Sequence, residues 1–249
     1  MRGFIFGILS AMMLCAASLC AAQHQNPQTA ANRAATVAPG QRSEWLSAFS
    51  GISINGRMHV RIIRNAAEEA PRITYDTKGE LATKFKTTVD RNGILKIEEP
   101  VDPKRTTATE VTIWCNDIIS LSVTAADLTC ETPVTGDMFD LEVGGGANVT
   151  ARFDVTDLAV TATGKSSIIL SGAAKYMTLD ISTAKFDGGE LQTVSSIVNA
   201  SHLAEVRLAV SERLEGTTST SAKIVYSGVP HIIRAHTTMF GGEILPLEN

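Results

Sequence analysis

Aromatic side chains are scarce in this chain of 249 residues: they fill 5% of positions, with two tryptophans. Charged residues reach only 19%, and cysteines number four. Beyond residue 22 no apolar run approaches the ~20 residues that a membrane span needs. Each shortage excludes something. Four cysteines are too few for a disulfide-built scaffold. A formal charge of −4 and a pI near 5.8 have the wrong sign for a nucleic-acid-binding surface. Too little Leu, Glu and Lys argues against a coiled coil, and 44% hydrophobic residues argue against disorder. What abounds is small or β-branched, namely runs of Thr, Ser, Ala and Val with 19 Gly. That composition predicts an ordered all-β protein and names no chemistry.

Residues 1–22 have the form of a secretory signal. Arg2 is the positive start, residues 4–19 are apolar apart from Gly7 and two Ser, and Cys20-Ala21-Ala22 offers small residues for cleavage. The mature chain is expected to start near Gln23, without a transmembrane span, in the periplasm or at the cell surface. Lipid anchoring at Cys20 is the alternative, disfavoured because Leu19 stands where a small residue is usual. Cleavage leaves 21 basic and 26 acidic residues, a formal charge of −5. Residues 23–43 read as a flexible leader, with order starting near Trp45 or Phe49. Residues 44–249 form a single domain, with N-terminal strands to 115 and stacked rungs over 116–245. Two cysteines survive, Cys115 and Cys130. An oxidising compartment favours a disulfide between them, and two small buried thiols in a β core are the alternative.

Over 49–115, Ile52, Ile54, Met58, Val60 and Ile62 alternate around an Asn55-Gly56 turn, the period of a half-buried strand. Arg91-Asn92-Gly93 between residues 81–89 and 94–97 signals a hairpin. From 116 on the sequence repeats. Apolar or small pairs two positions apart recur at Leu121/Val123, Leu141/Val143, Val160/Ala162, Leu179/Ile181, Ile197/Asn199 and Leu214/Gly216. A second apolar position follows in each unit, at Leu128, Val149, Ile168, Phe186, Val206 and Ile224. Small turn residues such as Gly144-Gly145-Gly146-Ala147 and Ser182-Thr183-Ala184-Lys185 lie between. A rung of two or three short strands cannot bury its own interior, whereas stacked rungs share a core, so the pattern predicts a parallel β-helix-like solenoid. A sandwich or jelly roll is the rival, disfavoured by the near-constant phase.

Several of these segments resemble one known family. Phe49-Ser50-Gly51-Ile52 with Val60-Arg61-Ile62 is similar to its opening. Ile94-Leu95-Lys96-Ile97 is similar to its hairpin strand. Ala222-Lys223-Ile224-Val225-Tyr226-Ser227-Gly228-Val229-Pro230 is similar to its closing strand and turn. The family is the putative auto-transporter adhesin, head GIN domain, of unknown function and common in secreted proteins of Bacteroidetes and other Gram-negative bacteria. Thr, Ala and Lys at 182–185, and Asn199-Ala200-Ser201-His202, depart from its Gly-containing turns. The resemblance implies a right-handed β-helix-like fold, export, and a surface or periplasmic role. It carries no catalytic residues.

Direct chemistry is thin. His231 and His236 are five residues apart, a spacing for neither a helix nor a strand-face pair, and no metal or cofactor is expected. Asp137, Asp140, Asp154 and Asp157 cluster over two rungs, with Asp180, Asp187 and Glu190 further on. Such carboxylates would suit a glycoside-cleaving pair on an outer face, ~5–9.5 Å apart. Turn capping by Asp is the commoner use. Aromatics for stacking sugars are also few, since after Trp114 only Phe139, Phe153, Tyr176, Phe186, Tyr226 and Phe240 occur. The expected function is therefore that of an exported, non-enzymatic β-helical domain binding a surface glycan or envelope protein, adhesin-like, and not nucleic acid. A carbohydrate-active enzyme is the alternative.

Overall fold

The structure is a computed structural model that describes residues 41–247 apart from 67–68, 80–82, 101 and 239. The signal, its cleavage point, Cys20 and most of the leader lie outside the described residues. Seventeen strands follow one another, with no helix among the described residues. The first seven are β1 (Arg42–Trp45), β2 (Gly51–Asn55), β3 (Met58–Arg64), β4 (Arg72–Asp76), β5 (Lys86–Val89), β6 (Ile94–Glu98) and β7 (Thr109–Cys115). Then come β8 (Ser120–Thr124), β9 (Asp127–Cys130), β10 (Val134–Gly144), β11 (Asn148–Thr163), β12 (Ser167–Ser182), β13 (Lys185–Ser201), β14 (Glu205–Thr218), β15 (Ala222–Ser227), β16 (Ile232–Thr237) and β17 (Gly242–Pro246).

From β8 onward the chain winds a β-solenoid of about seven turns in which every pairing is parallel. The long strands β11 to β14 bend in mid-course. Their first halves join β9, β15 and β17 in a back sheet, and their second halves join β8 and β16 in a front sheet. Tight corners lead from front to back. Period two decides what enters the core. Leu121, Leu141, Val160, Leu179 and Val198 stack as one inward column of the front sheet. Leu128, Val149, Ile168, Phe186, Val206 and Ile224 stack as one of the back sheet. All eleven are at most 2% exposed. Copies in a column stand ~4.8 Å apart, so each must fit its neighbour above, which favours branched aliphatics over large rings. The fifth unit sits one residue later than its sequence suggests. Val198 and Ala200 point inward there, whereas Ile197 is 42% exposed and Asn199 faces solvent. A one-residue slip exchanges the two faces of a strand, and the apolar Ile197 masked it.

The corners explain the small residues. Ala126, Ala147, Ser166, Ala184, Ala204 and Ala222 are all buried where the sheets converge, leaving room for little beyond a methyl or hydroxyl. Ahead of them the backbone turns left-handed, at Ala125, Gly145, Gly164, Thr183, His202 and Thr220 among others. Thr183 has φ of 56°, a conformation that a β-branched residue resists by roughly 1–2 kcal/mol. Thr183→Gly is therefore expected to raise stability by about 1 kcal/mol, after the entropy glycine loses on folding. A urea midpoint that falls would show that the threonine side chain makes compensating contacts.

The base of the stack departs from chain order. β2 lies between β6 and β8, and β3 between β7 and β9, all parallel. The first rung laid down is thus an inner rung, with the β6/β7 rung beneath it. Below that, β5 pairs β6 and β4 pairs β7, both antiparallel, and β1 pairs β4. The hairpin expected at Arg91-Asn92-Gly93 is the β5–β6 pair. Asn55-Gly56, the same dipeptide, instead forms a solenoid corner whose two strands do not pair. The opposite end, β16 and β17, has no strand beyond it among the described residues.

Candidate functional site

Outward positions of the front sheet alternate with the core columns, and they are almost uniformly polar. One outward column runs Ser53, Ser122, Glu142, Thr161, Asp180, Asn199 and Thr217. A second, next to the corners, includes Thr124, Gly144, Thr163, Ser182 and Ser201. Three shallow depressions of about 230, 190 and 250 Å³ open along these columns. The first two share Ser122 and Glu142, and the last two share Thr161 and Thr163, so they form one trough along the stack. Its polar lining is hydroxyls, carboxylates and one carboxamide, with no basic or aromatic side chain. Asn199 Nδ2 donates to Asp180 Oδ1 across one rung (2.7 Å). Ser182 Oγ meets His202 Nδ1 at 3.2 Å.

This arrangement can offer a partner a fixed lattice of donors and acceptors. Each hydroxyl both gives and takes a hydrogen bond, and each carboxylate accepts. Strand pairing on both sides holds the lattice, so little side-chain or backbone freedom remains to be lost on binding. The acidic groups repel polyanions.

Of the carboxylates singled out by sequence, Asp140 lines this trough beside Glu142. Asp157 stands opposite Met138 and Tyr176, and Asp154 opposite Thr135 and Ala173, at the bend between the sheets. Asp137 precedes Met138 there, and all four carboxylates are exposed. Asp180 is in the trough, whereas Asp187 lies on the back sheet, 4.0 Å from Arg207. No group of three or more His, Cys, Asp or Glu that could hold a metal occurs among the described residues. His59 sits in β3 with Nδ1 3.2 Å from Asp127. The Ser and Thr columns escaped the sequence reading because they occupy the positions between the core residues. Marking the polar neighbour of each inward residue, rung by rung, would have found them.

The back sheet carries a broader groove of about 630 Å³ over Ile169, Val225 and Leu247. Its charges are largely matched, Lys185 to Glu205 at 2.9 Å and Arg207 to Asp187.

Cys115 and Cys130 are free, buried thiols, so the structure carries the second alternative rather than the favoured disulfide. β3 lies between their strands, with Cys115 in register with Arg64 and Cys130 with Ile62. Two strand spacings, ~9.6 Å, exceed the ~7 Å across which a disulfide closes. Burial pushes both thiols from 9.0 up to about 12, with Asp117 adding to the rise at Cys115. Since the folded values are raised, their contribution to stability is complete below pH 9 and is lost as pH climbs towards 12. We expect no reaction with a thiol reagent at pH 8 in the native chain of residues 23–249. After denaturation without reductant, two thiols should react. A count of zero would establish the disulfide.

Residues 48–230 match the model of the family described as putative auto-transporter adhesin, head GIN domain. No curated protein matches the chain. Among solved structures, a putative adhesin from Bacteroides fragilis superposes with a TM-score of 0.74 at 16% identity, covering 83% of this chain and 96% of that one. A putative adhesin from Parabacteroides merdae gives 0.64 at 14% identity, covering 84% and 95%. A putative lipid binding protein from Parabacteroides distasonis gives 0.64 at 15% identity, covering 84% and 96%. At these identities the likeness establishes the fold.

Proposed function

Because the chain belongs to the family described as putative auto-transporter adhesin, head GIN domain, we propose that it is an exported, non-catalytic binding domain whose front-sheet trough engages a surface glycan. The observation that carries this reading is the continuous outward column of polar side chains, Ser122 to Thr217, that runs along the trough over successive rungs. A glycan presents closely spaced hydroxyls that need both donors and acceptors, which Ser, Thr, Asn and Asp supply together. The resemblance of residues 1–22 to a secretory signal supports export, and the adhesin names of the structural neighbours are consistent with a binding role. The lack of a stacking aromatic in the trough points to modest affinity.

On a glycan array, residues 23–249 are expected to bind a restricted set of neutral or cationic glycans. Asn199→Ala and Ser182→Arg should weaken that binding about tenfold, the effect of losing roughly 1.4 kcal/mol of hydrogen bonding. No binding to any glycan would remove the glycan as partner. Binding that ignores both substitutions would move the site elsewhere. Polysaccharide cleavage that disappears in Asp140→Ala and Asp154→Ala would replace the reading with the enzymatic alternative.

A further inference from the structure

The two ends of the solenoid are unlike. At the base, β4 and β5 close the edge strands, and Ile73, Tyr75 and Phe85 are buried under that cover. At the other end, β16 and β17 each pair on one side only among the described residues. Ile233 continues the column of Leu214, yet it is 46% exposed where Leu214 is 0%. On the outer faces of the same rung, Ile232, Leu245 and Leu247 are also exposed, by 47%, 41% and 40%. An apolar core cross-section thus meets solvent beside two strands with unpaired peptide groups, the situation that elsewhere invites another strand.

We propose that this C-terminal rung docks end to end on the same rung of a second copy of the chain, β16 of one copy against β17 of the other. Three features select that occupant and that arrangement. The first is main-chain geometry. Thr238 N–H donates to Thr218 and Leu247 N–H to Tyr226, so by alternation 233, 235 and 237 on β16 turn their peptide groups to the free edge, as do 242, 244 and 246 on β17. These residues are matched in position about the corner, Thr237 with Gly242, Ala235 with Ile244, and Ile233 with Pro246. A two-fold axis along the strands, midway between the sheets, therefore sets β16 antiparallel to the partner's strand with hydrogen-bonding residues directly opposite. Only Pro246 fails to donate.

The second is charge. The outward residues of β16 include Arg234 and His236, and those of β17 include Glu243. The column Glu215–Arg234 ends positive, and the column Lys185–Glu205–Lys223–Glu243 ends negative. In the crossed arrangement His236 faces the second copy's Glu243, with Arg234 at the diagonal position, and both contacts occur twice. Docking β16 on β16 would set Arg234 among like charges. The third is apolar matching, since Ile232 falls against Leu247 and Ala235 against Ile244. A single rung is a narrow contact, below the ~1,200 Å² of standard interfaces, so the dimer is weak and concentration-dependent.

Sedimentation equilibrium of residues 23–249 tests this. The expected result is a reversible monomer–dimer equilibrium that stops at two copies. Glu243→Arg and Arg234→Glu should each raise the dissociation constant about tenfold or more, because each repeats a like-charge contact twice. Their equimolar mixture should dimerise as the unaltered chain does, because both crossed contacts are again opposite in sign. Ile233→Asp should abolish the dimer. A monomer up to millimolar concentration, oligomers beyond the dimer, or a mixture that fails to recover would each overturn the proposal.

Discussion

Arg105→Ala is expected to lower folding stability by about 3–5 kcal/mol, the loss incurred when one partner leaves a desolvated ion pair. Arg105 Nη1 lies 2.7 Å from Glu99 Oε2, and the two side chains are 4% and 1% exposed. Thr109 sits between them. Its hydroxyl donates to Glu99 Oε1 at 2.5 Å and accepts from Arg105 Nη2 at 2.7 Å. Arg105 Nη2 also donates to the Thr77 carbonyl, and Arg57 Nη1 to the Arg105 carbonyl. The cluster joins the β6–β7 connection both to the corner after β2 and to the segment after β4. Alanine would leave the Glu99 carboxylate buried without its counter-charge. The double replacement Glu99→Leu with Arg105→Met removes both charges at similar volume and should recover most of the loss. Urea unfolding of the two variants decides the matter. A single variant within 1 kcal/mol of the unaltered chain would mean that the pair is solvated in practice.

Gly172→Ala is the second large effect, expected to cost at least about 3 kcal/mol. Gly172 has φ of +102°, outside the regions open to other residues. A Cβ there would stand 2.0 Å from the Phe153 carbonyl oxygen, a backbone atom that cannot swing aside. The neighbouring rung is held by strand pairing on both sides, so relief would require breaking a ladder in the middle of the stack. Gly136→Ala is the matched control. No atom lies within 4 Å of its would-be Cβ, and the change should stay within ~0.5 kcal/mol. Equal effects at the two sites would mean that the clash at 172 is relieved by local movement.

How much of this was legible in the residues depends on whether neighbours in sequence are also neighbours in space. From β8 to β17 they are. Leu141, Val160, Leu179 and Val198 are each 19 residues from the next and occupy one column, so a sequence period became a spatial one. Around β2 and β3 they are not. Those strands touch rungs from residues 94–115 and 120–130, and no period links them, so the sequence placed residues 44–115 outside the repeating stack. The hairpin at Arg91-Asn92-Gly93 was legible because it is local. Glu99–Arg105 was not, since a charged pair in the connection between β6 and β7 reads as solvent-exposed until burial is known. The trough was half legible. Its Asp140 and Asp180 stood out as chemistry, but the serines and threonines around them have no individual signature, and only the ladder gathers them into a surface.

The inner position of β2 and β3 also bears on how the chain can acquire its shape. Were the signal to send it across a membrane amino-terminus first, these strands would emerge with neither neighbour yet delivered. β6 and β7 come about 40 residues later and β8 and β9 later still. During that interval both edges of the rung would be open to wrong partners. Closure would come only when the chain laid one rung on each side of its own beginning. The six remaining turns could then be added in sequence order, each onto a finished template, so the slow event would belong to residues 51–130.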